Sequence, residues 1–216
     1  MTRVGKLKIK LFVEGYTEEN YFKNLRKSRN VEISYKEVNM KGGGYTNFYN
    51  EIRKSNDYGF IAIFIIVDLD KYINEPEQVQ PFNKLLKYCQ DKNKNGNIPY
   101  FLIVSNRDFE YFACCHCSKY KNNDTTAYII NKFNYKSLDN FKNDEKIYNF
   151  LNSNSRSYTN ALSKVRFKTP YISNEYKKEV KGLDINIKIK RTEIESRALN
   201  YFNTNIFELF DIIGVK

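Results

Sequence analysis

Residues 6–14 (KLKIKLFVE) alternate polar and apolar and then turn apolar, the pattern of a strand that starts half-exposed and ends buried. Gly15-Tyr16 interrupts it. Thr17 reads as the N-cap of a first helix over 17–27: Glu18 and Glu19 suit the positive end of a helix dipole, and Tyr21, Phe22 and Leu25 point inward. Residues 31–38 alternate again and predict a second strand. Lys41-Gly42-Gly43-Gly44 predicts a flexible loop, followed by a helix over 45–54. Residues 60–67 are continuously apolar and stop at Asp68; such runs fit central strands of a parallel sheet, covered on both faces. A helix over 76–92, a buried strand over 99–104 and a helix from Phe109 complete this half.

Four alternations of strand and helix specify an α/β layered fold of Rossmann type, with a mostly parallel central sheet, flanking helices and right-handed crossovers. From Lys119 the chain becomes Asn- and Lys-rich. Helical patterns lie near 125–133, 145–151, 158–167 and 192–202, and 184–190 reads as a short strand with lysines on its open face. The expected division is an α/β core over 1–118 and a mainly helical, lysine-rich region over 119–216 packed on it. Residues 138–154 read as a weak connection or insertion.

Composition narrows the function classes. Hydrophobic residues at 41% and charged residues at 28% are those of a soluble globule, and no apolar run reaches the ~18 residues needed to span a bilayer. The first residues hold no apolar signal core, so a cytoplasmic protein without membrane contact is expected. A net charge of +11 suggests a polyanionic partner. Part of that charge reflects codon bias, since 27 lysines against 9 arginines, with 28 asparagines and 5 alanines, is the usage of an AT-rich genome. Cys114, Cys115 and Cys117 crowd around His116; neighbours in sequence cannot all turn to one ion, so reduced, buried thiols are expected rather than a zinc site.

Open α/β sheets place ligands at the carboxyl ends of their strands. There stand Glu14, then Asp68-Leu69-Asp70, then Ser105-Asn106 with Glu110 a helical turn later. In extended backbone Asp68 and Asp70 point to the same side. Hard oxygen ligands without a neighbouring histidine or cysteine favour Mg²⁺ or Mn²⁺ over zinc. Glu18 lies one turn from Glu14 and is either a functional acid or a first-turn residue satisfying the helix dipole. Ser105 and Asn106 either bind a phosphate or cap their loop, and His116 is either packed or catalytic. Basic residues including Lys188, Lys190 and Arg191, interleaved with Tyr171 and Tyr176, either grip nucleic acid or form a solvated face.

Residues 13–22 (VEGYTEENYF) and 67–70 (VDLD) resemble the Toprim domain of topoisomerases, primases, overcoming-lysogenization-defect nucleases and small ribosomal RNA maturases. Within it the chain is most similar to the RloB-like family. The family's EGxTExxYF opening is met by 14–22, its glycine-rich loop by 41–44, and its SNPxFExW motif by 105–112, with Arg107 for the usual proline and Phe112 for the usual tryptophan. A family histidine falls at His116, and the resemblance covers roughly 8–116. It implies that Asp68 and Asp70 hold Mg²⁺ or Mn²⁺, and that Glu14 is a general base or shares the metal. Glu18 and Glu110 would be further acids, and Ser105, Asn106 and His116 would face substrate; Lys188, Lys190 and Arg191, beyond the resemblance, are expected to contact substrate through their charge. The implied function is a metal-dependent nuclease cleaving DNA or RNA, tRNA among the candidates. The implied setting is a bacterial anti-phage or abortive-infection system, beside an ATPase partner. The alternative is a non-catalytic Toprim sensor or adaptor that binds nucleic acid, nucleotide or the ATPase. Topoisomerase or polymerase chemistry is not expected, since the chain lacks room for the extra domains and no candidate tyrosine stands out among 18.

Overall fold

The computed structural model describes residues 7–121, 124–182 and 184–215. The apolar runs of the first half form strands β1 (Lys8–Val13), β2 (Ser34–Asn39), β3 (Ala62–Asp68) and β4 (Tyr100–Asn106). They lie side by side in the order β2-β1-β3-β4, all pairs parallel. Helices α1 (Tyr16–Ser28), α2 (Gly44–Lys54), α3 (Asp70–Asn74) and α4 (Val79–Asn95) alternate with them, and α5 (Phe109–Cys115) follows β4. The expected mixed α/β fold with a mostly parallel sheet is present. The central strands are apolar throughout because helices cover both their faces. Leu11, Phe64, Ile66 and Phe101 pack with Tyr21 and Phe22 of α1 and Phe109 of α5. Phe12, Ile63, Ile65 and Leu102 pack with Phe48 of α2 and Phe82 of α4.

The second half departs further from its pattern. Helices α6 (Thr125–Phe133), α7 (Leu138–Lys142), α8 (Ile147–Leu151) and α9 (Tyr158–Arg166) lead to an antiparallel ribbon, β5 (Ile172–Lys181) with β6 (Asp184–Ile194). The helix expected over 192–202 is absent: Thr192 pairs with Asn174 inside the ribbon, and only a 3₁₀ turn, Ser196–Asn200, follows. β5 escaped notice because polar residues occupy both its faces, leaving little alternation to read. The region is therefore less helical than expected, and 138–154 is no loose insertion. Phe141, Ile147, Tyr148 and Leu151 are buried in the same core as α1.

A last short strand, β7 (Asn203–Thr204), joins the sheet antiparallel to β4 and leads into α10 (Phe207–Ile213). Asparagine side chains do backbone work here. Asn205 Oδ1 accepts from the Val104 amide (2.8 Å), and its Nδ2 donates to the Leu102 carbonyl (3.0 Å). Asn174 donates to the same carbonyl (3.3 Å), accepts from the Thr192 hydroxyl (2.9 Å), and donates from both its amide and its side chain to the buried Glu208 carboxylate. Burial pushes the Glu208 carboxyl up to about 7. This network pins ribbon and α10 to the sheet. Asn205→Ala strands the buried Val104 amide, so unfolding should cost about 2 kcal/mol less. The urea midpoint should fall with the slope unchanged; an unchanged midpoint would show that the network is not what holds these elements together.

Candidate active site

β1 and β3 are neighbours and end at the same edge of the sheet. The Asp68 amide donates to Glu14 Oε2 (3.1 Å), which ties the two strand ends together through a side chain. Lys71 Nζ approaches the other carboxylate oxygen at 3.4 Å. Beyond Asp68 the chain bends sharply. Leu69 has φ −98° and ψ 5°, so Asp68 ends β3 and Asp70 opens α3. The two acids reach the cleft through a helical turn and not through the extended backbone expected. The end of β4 supports that turn: the carbonyls of Ser105 and Arg107 accept from Leu69 (2.9 and 3.0 Å), and Arg107 also accepts from Asp70 (3.1 Å). The Asn106–Arg107 peptide is cis. From the opposite side, the Tyr45 hydroxyl donates to the Asp68 carbonyl (2.6 Å) and accepts from the Tyr72 amide (3.1 Å).

The loop before α2 is built to approach this edge. Lys41, Gly42, Gly43 and Gly44 have φ of 54°, 76°, 89° and 68°, a left-handed run that glycine adopts without steric cost. It brings the Gly42 amide onto the Glu14 carbonyl (2.9 Å). α1 starts on Gly15 and not on a capping Thr17; no side chain caps it. Thr17 is buried in the first turn, and its hydroxyl donates to the Lys142 carbonyl (3.4 Å).

These elements enclose a cleft of about 410 Å³. Among the described residues six carboxylates line it, Glu14, Glu18, Asp68, Asp70, Glu110 and Asp139, against two lysines, Lys71 and Lys142. Lys142 Nζ lies 3.5 Å from Glu110 Oε1. Too little positive charge for so much negative, held out of water, raises the acids. Burial and the Glu110 charge push Glu18 up to about 8. Burial and Asp108 push Glu110 up to about 7. Burial and the charges of Glu18, Glu14 and Glu110 hold Asp68 well above the usual carboxylate range. Glu14 is raised by burial, against the opposing pull of the Asp68 amide and Lys71. Asp68 Oδ1 is buried without a hydrogen-bond partner. Among the described residues no three acidic, histidine or cysteine side chains form a ready-made metal cage.

The structure therefore gathers Glu14, Glu18, Asp68, Asp70 and Glu110 around one cleft. Ser105, Asn106 and His116 are buried, with relative exposures of 0%, 1% and 0%. Asn106 donates to the Ala198 and Tyr201 carbonyls (2.8 and 2.9 Å), and Ser105 lies 3.5 Å from the Thr204 hydroxyl. Both support the rim without lining the cleft. His116 Nδ1 faces the Phe112 carbonyl (3.0 Å) and Nε2 the Tyr21 hydroxyl (2.8 Å). Burial lowers its imidazole to about 4, so it is neutral and packed. Lys188, Lys190 and Arg191 are exposed on β6, away from the cleft; Lys190 pairs with Glu175, and Arg191 with Glu175 and Glu193. Sequence reasoning missed Lys71, Asp139 and Lys142. Lys71 directly follows the DxD pair and was available to notice. Asp139 and Lys142 lie far along the chain with no motif to mark them.

A sequence model of the RloB-like proteins matches residues 9–201. The chain belongs to the RloB-like family. No curated protein and no solved structure gives a significant match. The family match runs well past residue 116, where the motif resemblance stops, and takes in α6 to α9 and the ribbon. In this RloB-like chain, then, Asp139 and Lys142 lie within the stretch that defines the family.

The raised acids make a pH prediction. A carboxyl whose folded value lies above its unfolded 4.5 favours folding at low pH, and that stability is lost as pH rises toward the folded value. Glu18 near 8 and Glu110 near 7 spread the loss from about pH 4.5, where the unfolded carboxyls ionise, up to about pH 7–8, with Glu208 near 7 adding to it, and only Glu18 still contributes above pH 7. His116 acts oppositely, below its unfolded 6.5. Without divalent metal, stability should fall between pH 7 and 8 by up to about 1.4 kcal/mol through Glu18, or roughly 3–6 °C in melting temperature. Glu18→Gln should flatten most of this slope; an equally steep profile in that variant would place the strain elsewhere.

Proposed function

We propose that the acid cleft is a metal-dependent phosphodiesterase site acting on nucleic acid, as the resemblance to Toprim nucleases of bacterial defence systems implies. The observation that carries the reading is the carboxylate surplus at the carboxyl edge of the sheet, with the buried Asp68 Oδ1 unpartnered. That arrangement destabilises the protein by itself and is relieved by a divalent cation. The donor set suits Mg²⁺ or Mn²⁺: all ligating atoms are hard oxygens, and Mg²⁺ characteristically uses one or two carboxylates with water and substrate phosphate, so no closed cage is required. Asp68 and Asp70 would hold it, with Glu14 beside them at the same sheet edge, bonded to the Asp68 amide. Bound there, the ion would stabilise charge on the attacking and leaving oxygens of a phosphodiester.

The chain's own groups do the rest. Glu14 is clamped between the Asp68 amide and Lys71, which fixes it to ligate or to accept a proton from water. Lys71 and Lys142 offer positive charge to a phosphate that must enter an otherwise negative cleft. Glu18 and Glu110 lie among the same acids and contribute to the field that draws the cation. The charged face of the ribbon is a weaker candidate for gripping the strand, because Lys177, Lys190 and Arg191 are already paired with glutamates.

Asp68→Asn should lower cleavage of nucleic acid in Mg²⁺ by roughly a hundredfold or more, the loss expected when a transition-state charge loses its support. The same variant should melt no lower than the parent without metal, since it removes a buried, repelled carboxylate. Mg²⁺ should raise the melting temperature of the parent and not of the variant. Full activity in Asp68→Asn and Glu14→Gln would defeat the nuclease reading in favour of a binding module.

A further inference from the structure

Tyr16 is the first residue of α1 and is 51% exposed. It stands on the ridge between the acid cleft and a neighbouring cleft of about 360 Å³, and lines both. Among the described residues it is the aromatic side chain of the acid cleft, and no hydrogen bond, ring contact or overlying cation involves it there. Tyr21, Tyr35, Tyr45, Tyr100, Tyr111 and Tyr148 are fully buried; of the exposed tyrosines, Tyr58 lines neither cleft and Tyr201 has Lys168 over its ring. The ring's base is nonetheless rigid. Thr17, Glu18, Tyr21 and Phe22, which follow it on α1, are buried, so the helix start cannot swing. An unpartnered ring on a fixed backbone, facing solvent beside the acid cleft, gives up only its own side-chain rotation when something stacks on it.

The second cleft offers groups that a nucleotide could use. Besides Tyr16 it is lined by Glu19, Asn20, Lys23, Asn143 and Glu145, with Glu19 already accepting from Asn39. Amides can bond a nucleobase edge, and a lysine can meet the next phosphate. Aromatic faces stack unpaired bases of any sequence, but a base inside a duplex offers them no free face.

We propose that Tyr16 is a base platform: it stacks on the unpaired nucleobase next to the phosphate held at the acid cleft, so the substrate is single-stranded DNA or RNA at that position. This rests on the phosphodiester reading of the acid cleft. The test is anisotropy of a short fluorescent single strand, as DNA and as RNA, and of the matching duplex, in Ca²⁺, with cleavage measured separately in Mg²⁺. Tyr16→Ala should weaken single-strand binding roughly 5- to 150-fold, the range that base–aromatic stacking supplies. Tyr16→Phe should stay close to the parent, and the dependence of log affinity on log salt should keep its slope, because a neutral ring contacts no phosphate. Whichever of DNA and RNA shows the loss is the strand the platform takes. If the parent cleaves nucleic acid and Tyr16→Ala binds single strands as well as the parent does, the platform is wrong and the nuclease reading stands. Equal losses on single strand and duplex with a shallower salt slope also overturn it. If the parent neither binds nor cleaves any of these probes, both readings fall together.

Discussion

The hydrogen bond from the Asp68 amide to the Glu14 carboxylate joins the ends of two central strands through a group that would rather be in water. Much of the surrounding structure serves to hold that bond in place. The glycine loop closes over Glu14 through the Gly42 amide, the end of β4 accepts from Leu69 and Asp70, and Tyr45 bridges Asp68 to Tyr72. Each support is a backbone hydrogen bond or a buried side chain, so the carboxylates cannot relax apart. Their repulsion is retained as raised proton affinity. A fold selected for stability alone would have paired or replaced these acids; the proposed metal site is a reason to keep them.

The second half of the chain completes this edge and does not merely decorate it. α7 rests on α1, delivers Lys142 to Glu110 and Asp139 to the cleft, and accepts the Thr17 hydroxyl through a backbone carbonyl. The large positive net charge has a correspondingly local meaning. On the ribbon it is largely offset by Glu175, Glu179 and Glu193. At the cleft two lysines, Lys71 and Lys142, stand among six carboxylates, and there placement counts for more than the total.

The asparagines likewise carry more than codon bias. Asn106, Asn174, Asn203 and Asn205 are buried and bond main-chain groups where the short β7 and the 3₁₀ turn cannot continue the ladder. An amide mimics a peptide group, with one acceptor and a donor on a short stem, so it satisfies strand ends that would otherwise be orphaned.

The α/β core was legible because its signals are local. An apolar run of eight residues bounded by an acid fits a covered strand, and a strand-helix alternation favours one handedness of crossover. The acids at strand ends were legible for the same reason, since topology sends parallel strands to one edge. What the chain alone concealed depends on contacts between distant residues. The ribbon's first strand carries polar residues on both faces, so alternation was lost. Thr192 was read as helical because its partner Asn174 lies 18 positions away. Ser105, Asn106 and His116 look like ligands in sequence, yet packing buries them behind the rim. Lys142 joins Glu110 across 32 positions, and Tyr16 stands exposed at the cleft while the residues after it are buried. Periodicity along the chain determines which residues are covered, but which charges meet inside a cleft is decided by three-dimensional packing, because Coulomb repulsion and desolvation act through space and leave no period in the sequence.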